Sequence, residues 1–111
     1  PYTGKTMQFE TAPGRKIQID HVVALGNAWK SGAWAWTKAQ REAYANDPSV
    51  LLAADGPANQ QKSDASADAW LPPNRNFRCA YARQQIDIKY RWNLTITTAE
   101  KTALLSALAK C

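Results

Sequence analysis

Two short segments of the sequence decide the fold. Residues 16–20, Lys-Ile-Gln-Ile-Asp, alternate polar and apolar side chains, which is typical of a strand with one buried face. We expect the end of this strand to carry Asp20 and His21. Residues 50–53, Val-Leu-Leu-Ala, form a short apolar run that predicts a second, buried strand.

A helix is predicted soon after the second strand. The Asp-Gly-Pro sequence at 55–57 is typical of a turn, and residues 58–67 can then form a short helix that displays Asn59 and Lys62 near its start. Two strands and a helix in this order can bring a carboxylate, an imidazole and an amide oxygen around one hard cation.

Further helices are predicted around this unit. Residues 37–40 and 97–100 each match a capping box, which predicts that a helix begins at each place. A longer helix over 75–92 shows apolar residues at helical spacing. The expected fold class is therefore α+β, with an irregular segment at 1–15 and a mostly helical C-terminal half.

Composition and charge restrict the classes of protein that fit. The chain has 111 residues, of which 45% are hydrophobic and 21% charged, so we expect one globular domain over 1–111. No apolar run reaches the roughly 18 to 20 residues that a membrane-spanning helix needs, which excludes an integral membrane protein. The net charge of +5 favours an anionic partner: nucleic acid, an acidic polymer or a membrane surface. Two Cys and one His are too few for the common structural zinc sites.

Four side chains suit the hydrolysis of a phosphodiester. Asp20 and Asn59 offer the oxygen ligands that Mg²⁺ prefers. Water must be activated by a general base near neutral pH, and His21 is the one histidine of the chain. Lys62 can add a fixed positive charge at the scissile phosphate. Each residue alone has an ordinary structural explanation, and it is their order along the chain that favours a catalytic site.

The order of these motifs resembles the HNH endonuclease superfamily. The matching stretches are Ile-Asp-His-Val-Val at 19–23, Asn-Asp-Pro at 46–48, Gly-Pro-Ala-Asn-Gln-Gln-Lys-Ser-Asp at 56–64 and Trp-Leu-Pro-Pro at 70–73. More closely, the sequence is similar to small, often secreted bacterial HNH nucleases related to the C-terminal domain of GmrSD-type restriction enzymes. The resemblance covers roughly residues 17–111.

This resemblance implies a ββα-metal fold with one divalent cation, Mg²⁺ or alternatively Mn²⁺, and hydrolysis that leaves a 5′ phosphate and a 3′ hydroxyl. Carried over to the matching positions, Asp20 and Asn59 are the metal ligands and His21 is the general base. Lys62 is a supporting catalytic residue or a phosphate contact. Asp64 also matches a family position, but we assign it no role.

The sequence departs from the family pattern at the middle Asn of the HNH name, which braces the loop that holds the His. Ser49 or Val50 occupies the expected place. Asn46 and Asp47 are both available for the bracing function, and the sequence leaves the choice between them open.

Basic residues and cysteines complete the prediction. Arg75, Arg78 and Lys89 fall on one face of the long predicted helix, where they are expected to contact a nucleic acid backbone; a solvated helix face is the alternative. Cys79 and Cys111 are predicted to form a disulfide. An even number of cysteines in a small basic domain favours a secreted or extracytoplasmic location.

We therefore expect a secreted, monomeric, Mg²⁺-dependent endonuclease that acts on DNA in preference to RNA, with little sequence preference and no membrane partner. One alternative is a nucleic-acid-binding module that keeps the fold but lacks activity, for which Val50 near the middle-Asn position is the first indication. Another is a basic extracellular domain whose partner is not a nucleic acid.

Overall fold

The computed structural model of the protein describes residues 2–4 and 17–111. Two strands, five α-helices and two short 3-10 helices lie within these ranges, which confirms the predicted α+β class. Of the irregular segment predicted at 1–15, residues 2–4 form no regular element and the rest lies outside the described residues. In the described part of the chain, each helix is too short or too polar to cross a membrane.

An antiparallel strand pair forms the first part of the expected ββα unit. Strand β1 spans Ile17–His21 and strand β2 spans Leu51–Asp55, with His21 opposite Leu51. The second strand therefore starts one residue later than predicted and continues to Asp55. This pairing brings the loop that precedes β2 next to the Asp-His end of β1.

Five α-helices accompany the strands. They are α1, Leu25–Lys30; α2, Lys38–Ala45; α3, Gly56–Lys62; α4, Arg78–Arg91; and α5, Thr98–Leu108. The predicted capping boxes open α2 and α5, because Thr37 and Thr97 each accept a bond from the third backbone N–H of their helix. The predicted helix over 75–92 begins with a 3-10 turn, Arg75–Phe77, before α4.

Helix α3 differs from its prediction over 58–67 at both ends. The Asp55 carboxylate caps the helix by accepting a bond from the backbone N–H of Ala58 (3.1 Å). Pro57 lies in the first turn, where its missing N–H leaves no bond unmade. The Asp-Gly-Pro sequence therefore begins the helix, and the prediction of a separate turn was wrong. The helix stops at Ser63, whose φ of 47° takes the backbone out of the helical region.

Aromatic side chains dominate the main core. Tyr2 is fully buried and makes edge or tilted ring contacts with Trp70, Phe77 and Tyr81 at centroid distances of 5.1 to 5.9 Å. Residues in and next to the strands, together with side chains of helices α1 to α4, complete this core, and a smaller apolar cluster lies between α4 and α5. Large side chains supply the buried area that a domain of this size needs.

Lys89 is buried, contrary to the prediction that it lies on an exposed helix face. It is 1% exposed, and its ammonium donates to Glu100 Oε2 at 2.6 Å, Asn27 Oδ1 at 3.2 Å, Ser31 Oγ at 3.1 Å and the Thr95 carbonyl at 3.0 Å. The expectation that Lys89 contacts nucleic acid was wrong, because α5 and α1 cover this part of α4. Its ammonium instead joins α4 to α5 through a buried ion pair with Glu100, and to the end of α1 through hydrogen bonds.

The predicted disulfide between Cys79 and Cys111 is present. It joins the first turn of α4 to the residue that ends the chain, across a sequence separation of 32, with the two Cα atoms 5.3 Å apart. The bond holds α5 against α4 beside the small apolar cluster between these helices.

Replacing both cysteines by serine should lower the free energy of unfolding by roughly 3 to 4 kcal/mol, because the unfolded chain regains the freedom that a loop of this length removes. Urea denaturation of the variant and of the oxidised wild type measures the difference. The wild type under reducing conditions serves as control and should match the variant. Equal urea midpoints for the oxidised wild type and the variant would contradict the expected contribution.

Candidate active site

A buried polar cluster lies on the side of β1 that faces α3. The Asp20 carboxylate accepts a bond from the Tyr2 hydroxyl at Oδ2 and from the Lys62 ammonium at Oδ1 (3.1 Å), and the same ammonium lies 3.0 Å from Oδ2. Lys62 also donates to the backbone carbonyl of His21 (2.9 Å). Tyr2 and Lys62 are fully buried, whereas Asp20 is 6% exposed, so Asp20 is the member of the cluster that keeps some access to solvent.

Burial shifts the pKa values of Lys62 and Tyr2, the two side chains that donate to Asp20. Burial lowers the pKa of Lys62, and the Asp20 carboxylate opposes this shift. Burial and the nearby Asp20 charge both raise the pKa of Tyr2, so its hydroxyl keeps the proton that it donates. A carboxylate has about four acceptor positions, and among the described residues the Tyr2 hydroxyl and the Lys62 ammonium hydrogen-bond to Asp20.

Asn59 lies on the same side of β1. Its Nδ2 donates to Gln18 Oε1 at 2.9 Å, and Gln18 shares a face with Asp20 because the two are two residues apart in a strand. This bond directs the amide nitrogen to Gln18 and leaves Oδ1 as the acceptor atom. Lys62 follows Asn59 by one helical turn in α3, so this helix supplies both side chains to one face of the strand.

The Asp20 and Asn59 oxygens fit a hard divalent cation that keeps most of its water ligands. Within residues 2–4 and 17–111, no group of three or more His, Cys, Asp and Glu side chains could hold a metal. Two protein oxygens are enough for Mg²⁺, which retains several waters and takes other ligands from a substrate phosphate. The donor set therefore suits Mg²⁺ or Mn²⁺ better than zinc.

The His21 ring lies toward the end of α2. Nε2 lies 2.9 Å from the backbone carbonyl oxygen of Ala45. A carbonyl accepts only, so Nε2 carries the proton, and in the neutral ring the lone pair is on Nδ1. The structure thus brings Asp20, Asn59 and Lys62 to one side of β1, and His21 is joined to them through its own backbone.

Asp47 orders the loop between α2 and β2. Its Oδ1 accepts bonds from the Ser49 hydroxyl (2.7 Å) and the Ser49 backbone N–H (2.9 Å), and its Oδ2 accepts from Trp92 Nε1 at 3.2 Å. The bonds from Ser49 lower the pKa of Asp47. The side-chain amide of Asn46, the other candidate, donates to the Glu42 carbonyl one turn back in α2. Of the two, Asp47 is the residue placed to brace the loop. Val50, at or next to the expected place of the middle Asn, is fully buried.

Two members of the polar cluster were missed by sequence reasoning. Gln18 carried a usable signal, since the alternation along β1 places it on the face of Asp20. Tyr2 carried none, because it belongs to an irregular segment 18 residues away from its partner Asp20. A contact of this kind is created by the fold and leaves no local pattern.

Asp64 packs against the first turn of α1. A Cβ placed on Gly26 would lie 2.5 Å from the Asp64 Cγ and Oδ2 atoms, so a glycine is required for this close approach. The carboxylate therefore lies next to the N-terminal end of a helix, where negative charge is favourable.

Of the three cations predicted on one helix face, Arg75 and Arg78 lie at the surface, whereas Lys89 is buried. Both line a cavity of about 660 Å³ beside the disulfide, and Lys110 lines it as well. The Arg78 Nε donates to the Pro72 carbonyl at 2.7 Å, which holds its guanidinium in place. The C-terminal segment, held by the disulfide, thus supplies the third cation of this region.

Residues 2–107 match the family model of the C-terminal domain of GmrSD restriction endonucleases. The chain belongs to this family. Among curated proteins, an uncharacterized secreted protein of Arthroderma benhamiae is 43% identical over 113 aligned positions, which cover all of this chain and 53% of that protein. The chain thus spans about half the length of the curated relative it matches. No solved structure matches it.

Membership of the GmrSD C-terminal family confirms the resemblance inferred from the motifs and marks the chain as nuclease-related. The family match begins at Tyr2, the residue that closes the polar cluster around Asp20. The secreted relative and the disulfide between Cys79 and Cys111 confirm the expected secreted or extracytoplasmic location.

Removing one partner of the Asp20–Lys62 pair should destabilise this GmrSD domain strongly. Lys62→Met leaves a buried carboxylate without its cation, and Asp20→Asn leaves a buried ammonium without its anion, so each should lose about 3 to 5 kcal/mol of unfolding free energy. The double variant should lose clearly less than the sum of the two. Urea denaturation of the three variants measures this, and additive losses would contradict a direct pairing.

Proposed function

We propose that this GmrSD C-terminal domain is a metal-dependent endonuclease that hydrolyses phosphodiester bonds of DNA with little sequence preference. The observation that carries the proposal is the bond from His21 Nε2 to the Ala45 carbonyl, which directs the basic lone pair to Nδ1. Family membership supports a nuclease, and the net charge of +5 supports an anionic substrate.

In the proposed reaction, Nδ1 of His21 accepts a proton from the attacking water. Nε2 keeps its proton and its bond to the Ala45 carbonyl, so the ring does not rotate when it becomes charged. Asp47 braces the loop that follows Ala45, and the ring therefore has a stationary partner.

Asp20 and Asn59 would hold one divalent cation through a carboxylate oxygen and the amide Oδ1. Such a cation, Mg²⁺ or Mn²⁺, supplies charge that offsets the negative charge of the phosphate and of the departing oxygen. We propose that Lys62 acts as a positioning residue that orients Asp20 and the His21 backbone. Direct contact of Lys62 with a phosphate, as expected from the sequence, does not fit a side chain that is fully buried with its ammonium bound to Asp20 and His21.

The Arg75, Arg78 and Lys110 region is proposed to contact the nucleic acid backbone. Phosphate contacts of this kind support binding without sequence preference. The domain is proposed to act as a monomer.

His21→Ala should reduce the nicking of supercoiled plasmid by at least about 100-fold, because the general base is removed. Nicking is followed with Mg²⁺, with Mn²⁺ and with EDTA, which should abolish it. Lys101→Ala, an exposed change on α5, serves as the control and should nick like the wild type. A wild type that binds DNA but leaves it intact with every divalent ion would overturn the enzyme proposal in favour of a binding module without activity.

The cationic region predicts a specific salt dependence. Arg75→Gln combined with Lys110→Gln should weaken duplex binding and reduce the slope of log affinity against log salt by about 0.9 for each phosphate that the protein no longer neutralises. Arg83→Gln with Lys101→Gln removes the same charge elsewhere on the exposed surface. Fluorescence anisotropy over a salt series compares the two, and identical slopes for both variants would refute a localised binding region.

A further inference from the structure

An apolar cavity of about 470 Å³ opens between α1 and α2. Leu25 and Trp29 of α1 form one wall, and Trp36 and Tyr44 lie among the side chains of the other. Leu25 is 48% and Trp29 51% exposed, so both present apolar surface to a ligand. The size and the aromatic lining are typical of sites for small organic groups.

The rim of this cavity carries cations. The Arg41 guanidinium lies over the Trp29 ring, 5.6 Å from its centroid, and its Nη1 donates to the Trp36 carbonyl at 2.7 Å. Lys38 and Glu42 also line the cavity and lie 3.9 Å apart as an exposed pair. The net positive charge of the rim comes from Arg41, and the ligand that fits is an aromatic group with a negative charge attached to it.

The cavity adjoins the candidate active site through Ala45. This residue lines the cavity, and its carbonyl accepts the bond from His21 Nε2. The preceding residue, Tyr44, also lines the cavity and donates its hydroxyl to the Val23 carbonyl at 2.6 Å, which ties this wall to the chain just beyond His21. The Ala45 backbone is therefore shared by the cavity wall and by the bond that holds the His21 ring.

We propose that this cavity binds one unpaired nucleobase of the substrate, stacked on Trp29, with Arg41 beside the adjoining phosphate. This inference rests on the proposed nuclease function. Stacking on an aromatic side chain tolerates any base, because every base has a π face. The faces of a base inside a duplex are covered by its neighbours, so the cavity selects single-stranded or locally unpaired nucleic acid.

Two exposed tryptophans provide a matched test. Trp29 lines the cavity, whereas Trp34, 63% exposed and five residues further along the chain, lies outside the lining. Binding of a labelled single-stranded oligonucleotide and of the duplex with the same sequence is measured by anisotropy in EDTA. Trp29→Ala should weaken single-strand binding by about 5-fold to 100-fold, with a smaller effect on the duplex. Trp34→Ala should leave both unchanged, and Trp29→Phe should restore most of the affinity.

Equal effects of Trp29→Ala and Trp34→Ala, or an equal weakening of single-strand and duplex binding, would overturn the cavity assignment. Because Trp29→Phe keeps an aromatic ring, it tests stacking even if the alanine variant does not fold; a decrease in affinity as large as that expected for alanine would also overturn the assignment. Plasmid nicking by the wild type separates this result from the proposed function. Nicking with no selective effect at Trp29 refutes only the base site, whereas absence of nicking refutes the nuclease proposal.

Discussion

The buried ion pair between Asp20 and Lys62 is the interaction on which the arrangement of the site depends. It joins the first strand to the helix that follows the second strand, and through the same ammonium it holds the backbone of His21. Tyr2 completes it from the N-terminal segment. Taking two charges out of water costs free energy that their attraction offsets only with good geometry and further hydrogen bonds. We therefore interpret the pair as an interaction that fixes one arrangement of β1 and α3, rather than as a source of stability.

A second constraint acts on the His21 ring. The Ala45 carbonyl that receives the His21 ring belongs to the last residue of α2, and Asp47 connects the following loop to Trp92 at the end of α4. The ring is thus oriented by a helix end whose position is set by the core. Because the same residue lines the aromatic cavity, the proposed general base and the proposed base-binding cavity share one short stretch of backbone.

Local patterns in the sequence predicted much of the fold. Alternation located β1, capping boxes located the starts of α2 and α5, and the motif order identified the candidate site. The predicted start of α3 was wrong because Asp-Gly-Pro is compatible with both a turn and a capped helix. The bond from the Ala58 backbone N–H to the Asp55 carboxylate shows that the helix forms. The prediction that Lys89 contacts nucleic acid was wrong because helical spacing places residues on a face but does not say what covers that face.

The sequence by itself determined the α+β class, the family, the single histidine available as a base and the two cysteines that pair. These features depend on residue types and on spacings within one strand or one helix. Only the tertiary structure decided which charges are buried, how Tyr2 joins Asp20, and that the His21 ring bonds to the Ala45 carbonyl. The physical reason is that burial and pairing arise between segments far apart in the chain, where desolvation and close packing select the partners.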